Sequence, residues 1–239
     1  MLAIDFSLCY NSRMIISFDS LPLSDSVKKG KLKTFCDFLL ESNKKFNITA
    51  ITDRDGVYLK HFADSLAGVD NFPECANILE IGSGGGFPSI PLKICRPDLK
   101  FTLAESNAKK CNFLKEAGKL LDFEDFTVIN SRAEELPQNF KGKFDAVTAR
   151  AVAGSSVLCE LTIPYLKTGG KAVFYKNYSE KEIADAARAA EKLGAKLIAV
   201  QEYELDGIDG ERCVMVIEKN ALTDGKYPRL YNKILKKPL

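Results

Sequence analysis

The chain has 239 residues, 46% hydrophobic and 28% charged, a composition that supports a sizeable core and excludes extensive disorder. Its length suits one full α/β domain with a small helical extension, and two equal domains would be cramped. With 34 basic against 32 acidic residues, the net charge of +2 makes no case for nucleic acid by itself, so any basic surface must come from local clustering.

Cys9, Cys36, Cys75, Cys95, Cys111, Cys159 and Cys213 stand singly, with no C-x-x-C pair, and His61 is the sole histidine. Neither a zinc site nor a disulfide framework is expected. The thiols read as small core residues in a reducing compartment, by default the cytoplasm. No apolar run reaches the roughly 20 residues that span a bilayer. Residues 1–18 are interrupted by Asp5, Asn11 and Arg13, which argues against an export signal or a membrane anchor.

In chain order, residues 1–22 show no clean period. Ser24 then opens a helical pattern through Leu32, Phe35, Phe38 and Leu39, predicting an N-capped amphipathic helix that ends near Lys45. A second helix is expected from Asp55 to about Asp70, and the two make an N-terminal helical extension over residues 1–72. From Asn77 short apolar runs alternate with longer helical patterns, as a parallel sheet with crossover helices requires. Strands are predicted at residues 78–81, 101–104, 126–129, 144–148, 172–175, 197–202 and 213–218. Helices are predicted at 108–121, 155–166 and 180–193, the last closed by Gly194 in the left-handed conformation. The last two strands are joined only by residues 207–210 and their neighbours, too short for a crossover helix, so they should pair antiparallel. A seven-stranded Rossmann-like α/β sheet ending in an antiparallel hairpin is the plan of class I methyltransferases, whereas dehydrogenase domains continue with a parallel sixth strand. The main domain is bounded at 73–220, leaving 221–239 as a basic tail.

The stretch Ile78-Leu-Glu-Ile-Gly-Ser-Gly-Gly-Gly-Phe-Pro88 reads as buried strand, glycine turn and helix start, an arrangement that presents backbone N–H groups to a ligand. A dinucleotide fingerprint G-x-G-x-x-G fails here: counted from Gly82 its third glycine falls on Phe87, and counted from Gly84 it falls on Ser89. Glu80-x-Gly82-x-Gly84-x-Gly86 fits instead the acidic-plus-glycine motif of S-adenosylmethionine enzymes. Glu105, at the end of the second predicted strand, can accept hydrogen bonds from two ribose hydroxyls of either cofactor. Ser131-Arg-Ala-Glu134 and Arg150 follow the next strands and converge on the same carboxyl edge of the sheet. Taken singly, a glycine turn can be a structural bend and Glu134 a solvated loop residue, and Arg132 and Arg150 could equally be surface ion-pair partners.

A sulfonium methyl is already electrophilic, so the protein chiefly has to align a nucleophile with it and exclude water. After the fourth predicted strand, Thr148-Ala-Arg-Ala-Val152 lacks the Asn/Asp-Pro-Pro-aromatic turn of exocyclic-amine methylation and the cysteine of pyrimidine-carbon methylation. A nucleophile with a ready lone pair, such as a ring nitrogen, needs no base, and guanine N7 is one.

From about Met14 onward the chain resembles the bacterial 16S rRNA guanine-N7 methyltransferase family, RsmG, also called glucose-inhibited division protein B. The resemblance rests on Asn43-Lys-Lys-Phe-Asn-Ile-Thr49, His61-Phe-Ala-Asp-Ser65, Glu80-Ile-Gly-Ser-Gly-Gly-Gly-Phe-Pro-Ser-Ile-Pro91, Ser131-Arg-Ala-Glu-Glu135, Ala149-Arg-Ala151 and Asp209-Gly-Glu-Arg212. It implies methylation of guanine N7 at position 527 in the 530 loop of small-subunit rRNA, with cofactor contacts at Gly82, Phe87, Glu105, Ala133, Glu134 and Arg150. Gly84 and Gly86 join that set from the glycine motif. So small a protein offers little surface to read a lone RNA stem, and the expected substrate is a ribosomal particle. The sequence departs from the family at Asn177, where a glycine is usual, and in the middle of the tail. Residues before Met14 have no clear counterpart, which leaves Met14 as a second candidate start.

The tail gathers Lys226, Arg229, Lys233, Lys236 and Lys237 with Tyr227 and Tyr231, offering phosphate charge and stacking faces together, although a basic tail is as often a solvated end. Lys176 and Arg212 complete the RNA-binding candidates. His61 and Asp64, one helical turn apart, are candidates to position the reactants with Arg132 and Arg150, whose guanidiniums suit either a target phosphate or the cofactor carboxylate. A lone helical histidine is more often structural. Two other readings stay open: a methyltransferase for another RNA or a small molecule, and a non-catalytic RNA-binding protein that retains the fold.

Overall fold

The computed structural model describes residues 14–18 and 25–239. An eight-stranded sheet with the order β1-β7-β8-β6-β5-β2-β3-β4 runs through it. Its strands are β1 Met14–Ile16, β2 Asn77–Ile81, β3 Lys100–Glu105, β4 Phe126–Asn130, β5 Phe144–Arg150, β6 Leu166–Asn177, β7 Ala195–Leu205 and β8 Arg212–Lys219. The strands from β2 to β6 pair parallel, and β8 lies antiparallel between β6 and β7, so the expected C-terminal hairpin forms. All seven predicted strands are present. The eighth, β1, adds parallel to β7 at the edge, with Met14 opposite Tyr203. Three residues with only Ile16 buried carry no period to read.

Period-2 alternation divides the central strands between two cores. Ile78, Phe101, Ala146, Val173 and Val214 face one cluster, and Leu79, Ala104, Val147, Phe174 and Met215 face the other. The helices are α1 Ser26–Asn43, α2 Arg54–Gly56, α3 Asp64–Leu66, α4 Ser89–Cys95, α5 Ala108–Leu120, α6 Ser155–Thr162, α7 Glu180–Lys192 and α8 Tyr231–Lys236. α1 buries Leu32, Phe35, Cys36 and Leu39, an i, i+3, i+4, i+7 stripe, in the same cluster as Ile78 and Phe113. The extension therefore shares one core with the sheet. The expected cap Ser24 lies outside the described residues; Asp25 Oδ1 accepts the Val27 N–H at 2.8 Å.

The second predicted helix takes a different form. It starts at α2, where Asp53 Oδ1 accepts the Gly56 N–H at 2.7 Å, widens into a π-helix over Val57–Ala63, and returns to α geometry in α3. It ends at Leu66, with a 3₁₀ turn at Val69–Asn71, rather than continuing to Asp70. A π segment re-aims the side chains that follow it, and this one carries His61 and leads into Asp64. The helix expected over 155–166 stops at Thr162, because Pro164 in the 3₁₀ turn Ile163–Tyr165 has no N–H to continue it and Leu166 already pairs with Phe144. Among the described residues no helix is long and apolar enough to cross a membrane.

Candidate cofactor and substrate site

The turn after β2 is built on positive φ values, +68° at Gly82, +56° at Gly84 and +83° at Gly86. A Cβ on Gly82 would stand 2.7 Å from Val152 Cγ2, whereas one on Gly84 would meet nothing nearer than the Gly82 carbonyl at 3.8 Å. Gly82 thus permits close packing beneath, and Gly84 leaves open space above. Gly84 N–H donates to Glu105 Oε2 at 2.9 Å, and Asn107 N–H donates to Oε1 at 2.7 Å. The carboxylate at the end of β3 is thereby held against the turn with lone pairs to spare.

A hollow of about 300 Å³ opens over this turn, at the small end of the range for ligand sites. Ser83, Gly84, Gly85 and Phe87 form its floor, with Glu105 and Lys110 on one side and Arg150, Ala151 and Val152 on the other. The extension closes it with Ile48, Thr49 and His61. Ala151 has φ +56°, a left-handed conformation that a residue with a Cβ adopts at a cost, directly after Arg150. Thr49 sits in a loop built by Asn43, whose Oδ1 accepts the Ile48 and Thr49 N–H groups and whose Nδ2 donates to the Thr49 carbonyl. Nothing in the sequence marks Lys110 as lining the hollow, and for Thr49 the Asn-to-Thr spacing is the one signal it carries.

The wall between extension and turn is a stack. The His61 ring lies 4.2 Å from the Phe87 ring at an interplanar angle of 18°, and the Arg150 guanidinium carbon is 4.9 Å from the Phe87 centroid. Arg150 Nη2 donates to His61 Nδ1 at 2.9 Å. Arginine has no acceptor, so Nδ1 is the bare nitrogen and Nε2 carries the proton, which it donates to Thr49 Oγ1 at 2.8 Å. Burial, and next the charge of Arg150, lower the imidazole pKa from 6.5 to about 3.

Arg150 also donates to Asp64 Oδ2 at 2.7 Å and to the Lys60 carbonyl at 3.3 Å. Asp64 is fully buried. Burial alone would raise its pKa, but the Arg150 and Arg212 guanidiniums hold it below the ordinary carboxylate range. Beneath the turn Glu80 is also fully buried, and neither its carboxylate oxygens nor the Ser83 and Ser89 hydroxyls complete a hydrogen bond. Burial pushes Glu80 up to about 7, moderated by the nearby Ser89 and Ser83 hydroxyls and the charge of Arg150.

The other sequence candidates lie around this centre or away from it. Arg132, Ala133 and Glu134 stand at the carboxyl edge after β4, outside the hollow's lining: Arg132 is exposed, Ala133 is buried with its carbonyl accepting Tyr165 OH, and Glu134 is half-buried. Lys176 pairs with Glu182 at 2.8 Å and donates to the Ala153 carbonyl, and Arg212 pairs with Asp64 at 2.6 Å. The tail leaves from the opposite, amino edge, where Asn220 and Ala221 N–H donate to the Gly194 carbonyl and Lys141 reaches the Gly225 carbonyl. There Arg229 is clamped to the buried Glu160 through its backbone N–H at 2.9 Å, its Nε at 2.7 Å and its Nη2. Lys226 pairs with Asp224 at 2.8 Å, while Lys233, Lys236 and Lys237 are exposed. Among the described residues no cluster of His, Cys, Asp and Glu is arranged to hold a metal ion.

A parallel sheet closed by an antiparallel hairpin, with a glycine turn after its central strand and a carboxylate ending the next, is the fold of the class I S-adenosylmethionine-dependent methyltransferases. Solved structures share the fold. The branched-chain polyamine synthase of Thermus thermophilus superposes with a TM-score of 0.59 at 14% identity over 89% of this chain and 68% of that one. The B. subtilis M1A22 tRNA methyltransferase TrmK gives 0.54 at 18% identity over 70% and 69%. Residues 28–208 match the family model GidB, rRNA small subunit methyltransferase G, and the chain belongs to this family. Proteins named ribosomal RNA small subunit methyltransferase G are similar to it along most of their length. One from Lactobacillus delbrueckii is 40% identical over 89% of this chain and 92% of its own. One from Streptococcus pneumoniae is 42% identical over 94% and 97%.

Proposed function

We propose that this chain transfers the methyl group of S-adenosylmethionine to N7 of a guanine in 16S rRNA, position 527 of the 530 loop, acting on a small-subunit particle in the cytoplasm. The names of its relatives support the rRNA substrate. The residues present fit the cofactor: the space over Gly84 that a Cβ would invade, the Glu105 carboxylate with unused lone pairs, and the Arg150 guanidinium at the rim. Gly82, Gly84, Gly86, Phe87, Glu105, Ala133, Glu134 and Arg150 are the residues assigned to hold it. S-adenosylmethionine supplies an electrophilic methyl group when bound.

The observation that carries the ring-nitrogen reading is the state of His61. Both its nitrogens are committed, one to Arg150 and one to Thr49, so it serves as a wall and not as a proton acceptor. Glu105 is occupied by two backbone amides, those of Gly84 and Asn107, which hold it against the glycine turn. A site so furnished suits a nucleophile that brings its own lone pair, and its task is orientation and exclusion of water. His61 and Phe87 do this with a flat, rigid surface, and Arg150 and Asp64 fix its angle. Of the basic candidates, the exposed Lys233, Lys236 and Lys237 are available to phosphate at the amino edge and the exposed Arg132 at the carboxyl edge, while Lys226 in the same tail pairs with Asp224. Lys176, Arg212 and Arg229, held in internal pairs, contribute to RNA binding mainly by shaping the surfaces around them.

The test uses small-subunit particles from a strain lacking the gene, incubated with purified protein and labelled S-adenosylmethionine. Mass spectrometry of the nucleosides should give labelled 7-methylguanosine, and borohydride/aniline cleavage should appear at the expected guanine. Label in another nucleoside, or none in rRNA, would refute the assignment.

A further inference from the structure

Asp64 does not line the hollow, yet it accepts four hydrogen bonds. Oδ1 takes Tyr203 OH at 2.7 Å and Arg212 Nε at 2.6 Å; Oδ2 takes Arg150 Nη1 at 2.7 Å and Arg212 Nη2 at 3.2 Å. Tyr203 and Arg212 are register partners on β7 and β8, so one rung of the hairpin grips the carboxylate from behind while Arg150 holds it from the side of the hollow. Arg212 forks across both oxygens and fixes the plane of the carboxylate, and that plane sets where the Arg150 guanidinium sits against His61 and Phe87.

We propose that Tyr203, Arg212 and Asp64 form a positioning relay that sets Arg150, and that Arg212 therefore governs cofactor affinity without lining the cofactor hollow. This rests on the reading that Arg150 holds the cofactor. Without Arg212 the carboxylate keeps only Tyr203 on its far side and turns toward Arg150. The guanidinium then follows the undivided negative charge away from the Phe87 face. In Asp64→Asn a single acceptor oxygen replaces the two that Arg150 and Arg212 now share, the amide NH2 faces one of the guanidiniums, and the two guanidiniums, no longer neutralised, repel each other.

The deciding measurement is calorimetric titration of S-adenosylmethionine into the RNA-free protein, with thermal midpoints recorded separately. Arg212→Gln and Asp64→Asn should each weaken binding roughly three- to thirtyfold, the range for residues coupled to a site through packed partners. The double variant should bind no more weakly than Asp64→Asn alone, because both act through one carboxylate. Tyr203→Phe should lose affinity in the same direction by a smaller factor, and with Arg212→Gln it decides the matter even if Asp64→Asn does not fold. Normal affinity in Arg212→Gln and Tyr203→Phe, alongside weakened binding in Arg150→Gln, overturns the relay and leaves Arg150's role standing. Normal affinity in Arg150→Gln removes the underlying reading, and the relay with it.

Discussion

His61 and Phe87 stack at 4.2 Å across the boundary between the helical extension and the glycine turn, and this contact joins the segment His61-Phe-Ala-Asp-Ser65 to the turn after β2. Phe87 is packed from behind by Phe35 at 5.7 Å and Phe62 at 6.2 Å, so the stack has an apolar backing and little freedom to tilt.

The first prediction concerns the protonation of that ring. With its pKa lowered to about 3, folded His61 binds fewer protons than an unfolded histidine between pH 6.5 and 3. Its contribution to stability is therefore complete above pH 6.5 and is lost as pH falls toward 3. As His61 is the only histidine, its ring resonances are unambiguous. They should stay unshifted between pH 5 and 8, with the proton on Nε2. A titration midpoint near 6.5 in the folded protein would mean that the ring is open to water and the Arg150 contact is not held.

Glu80 behaves in the opposite sense. Its pKa is raised from 4.5 to about 7, so the folded protein binds more protons than the unfolded chain in that window, and stability falls as pH rises through it. Glu80→Gln keeps the shape and removes the titration. It should raise the thermal midpoint of the ligand-free protein at pH 8, by an amount on the order of 3 kcal/mol in stability, and change it little at pH 5. Equal shifts at the two pH values would show that burial of the charge is not the cause.

The legibility of this chain follows from the range of the interactions. Parallel strands buried on both faces are continuous apolar runs between turn residues, so residues 78–81 and 144–148 are visible without their partners, and the short link between β7 and β8 forces a hairpin. The glycine turn is legible because it is local. The π segment at Val57–Ala63 is not, since its buried residues Val57, Phe62 and Ala63 fall at i, i+5 and i+6, off the i, i+3, i+4 stripe by which an ordinary helix is read. The contacts that assign roles lie furthest from view. Asp64 and Arg212 are 148 positions apart, and nothing local in either marks the other. Basic residues read as surface because a sequence shows charge and not its partner. Arg212 and Arg229 each turn out to face a buried carboxylate, Asp64 and Glu160, while Lys233, Lys236 and Lys237 remain exposed.

That difference separates the two halves of the tail experimentally. Arg229→Gln strips the fork from a fully buried Glu160 and leaves only the backbone N–H of residue 229 against it. Breaking one side of such a pair costs about 3 kcal/mol. In a chain of this length that lowers the thermal midpoint by roughly 6–12 °C. Lys236→Gln with Lys237→Gln touches no ion pair and should leave the midpoint unchanged. If these lysines meet phosphate, the double lysine variant should weaken binding to small-subunit particles and flatten its salt dependence by about 0.7 to 0.9 in logarithmic slope for each phosphate no longer neutralised. The two signatures should not cross over. A lysine variant that melts early with an unchanged salt slope would place the lysines in the packing of α8 against α6, and an Arg229 variant of normal stability with a flattened slope would return that arginine to the RNA.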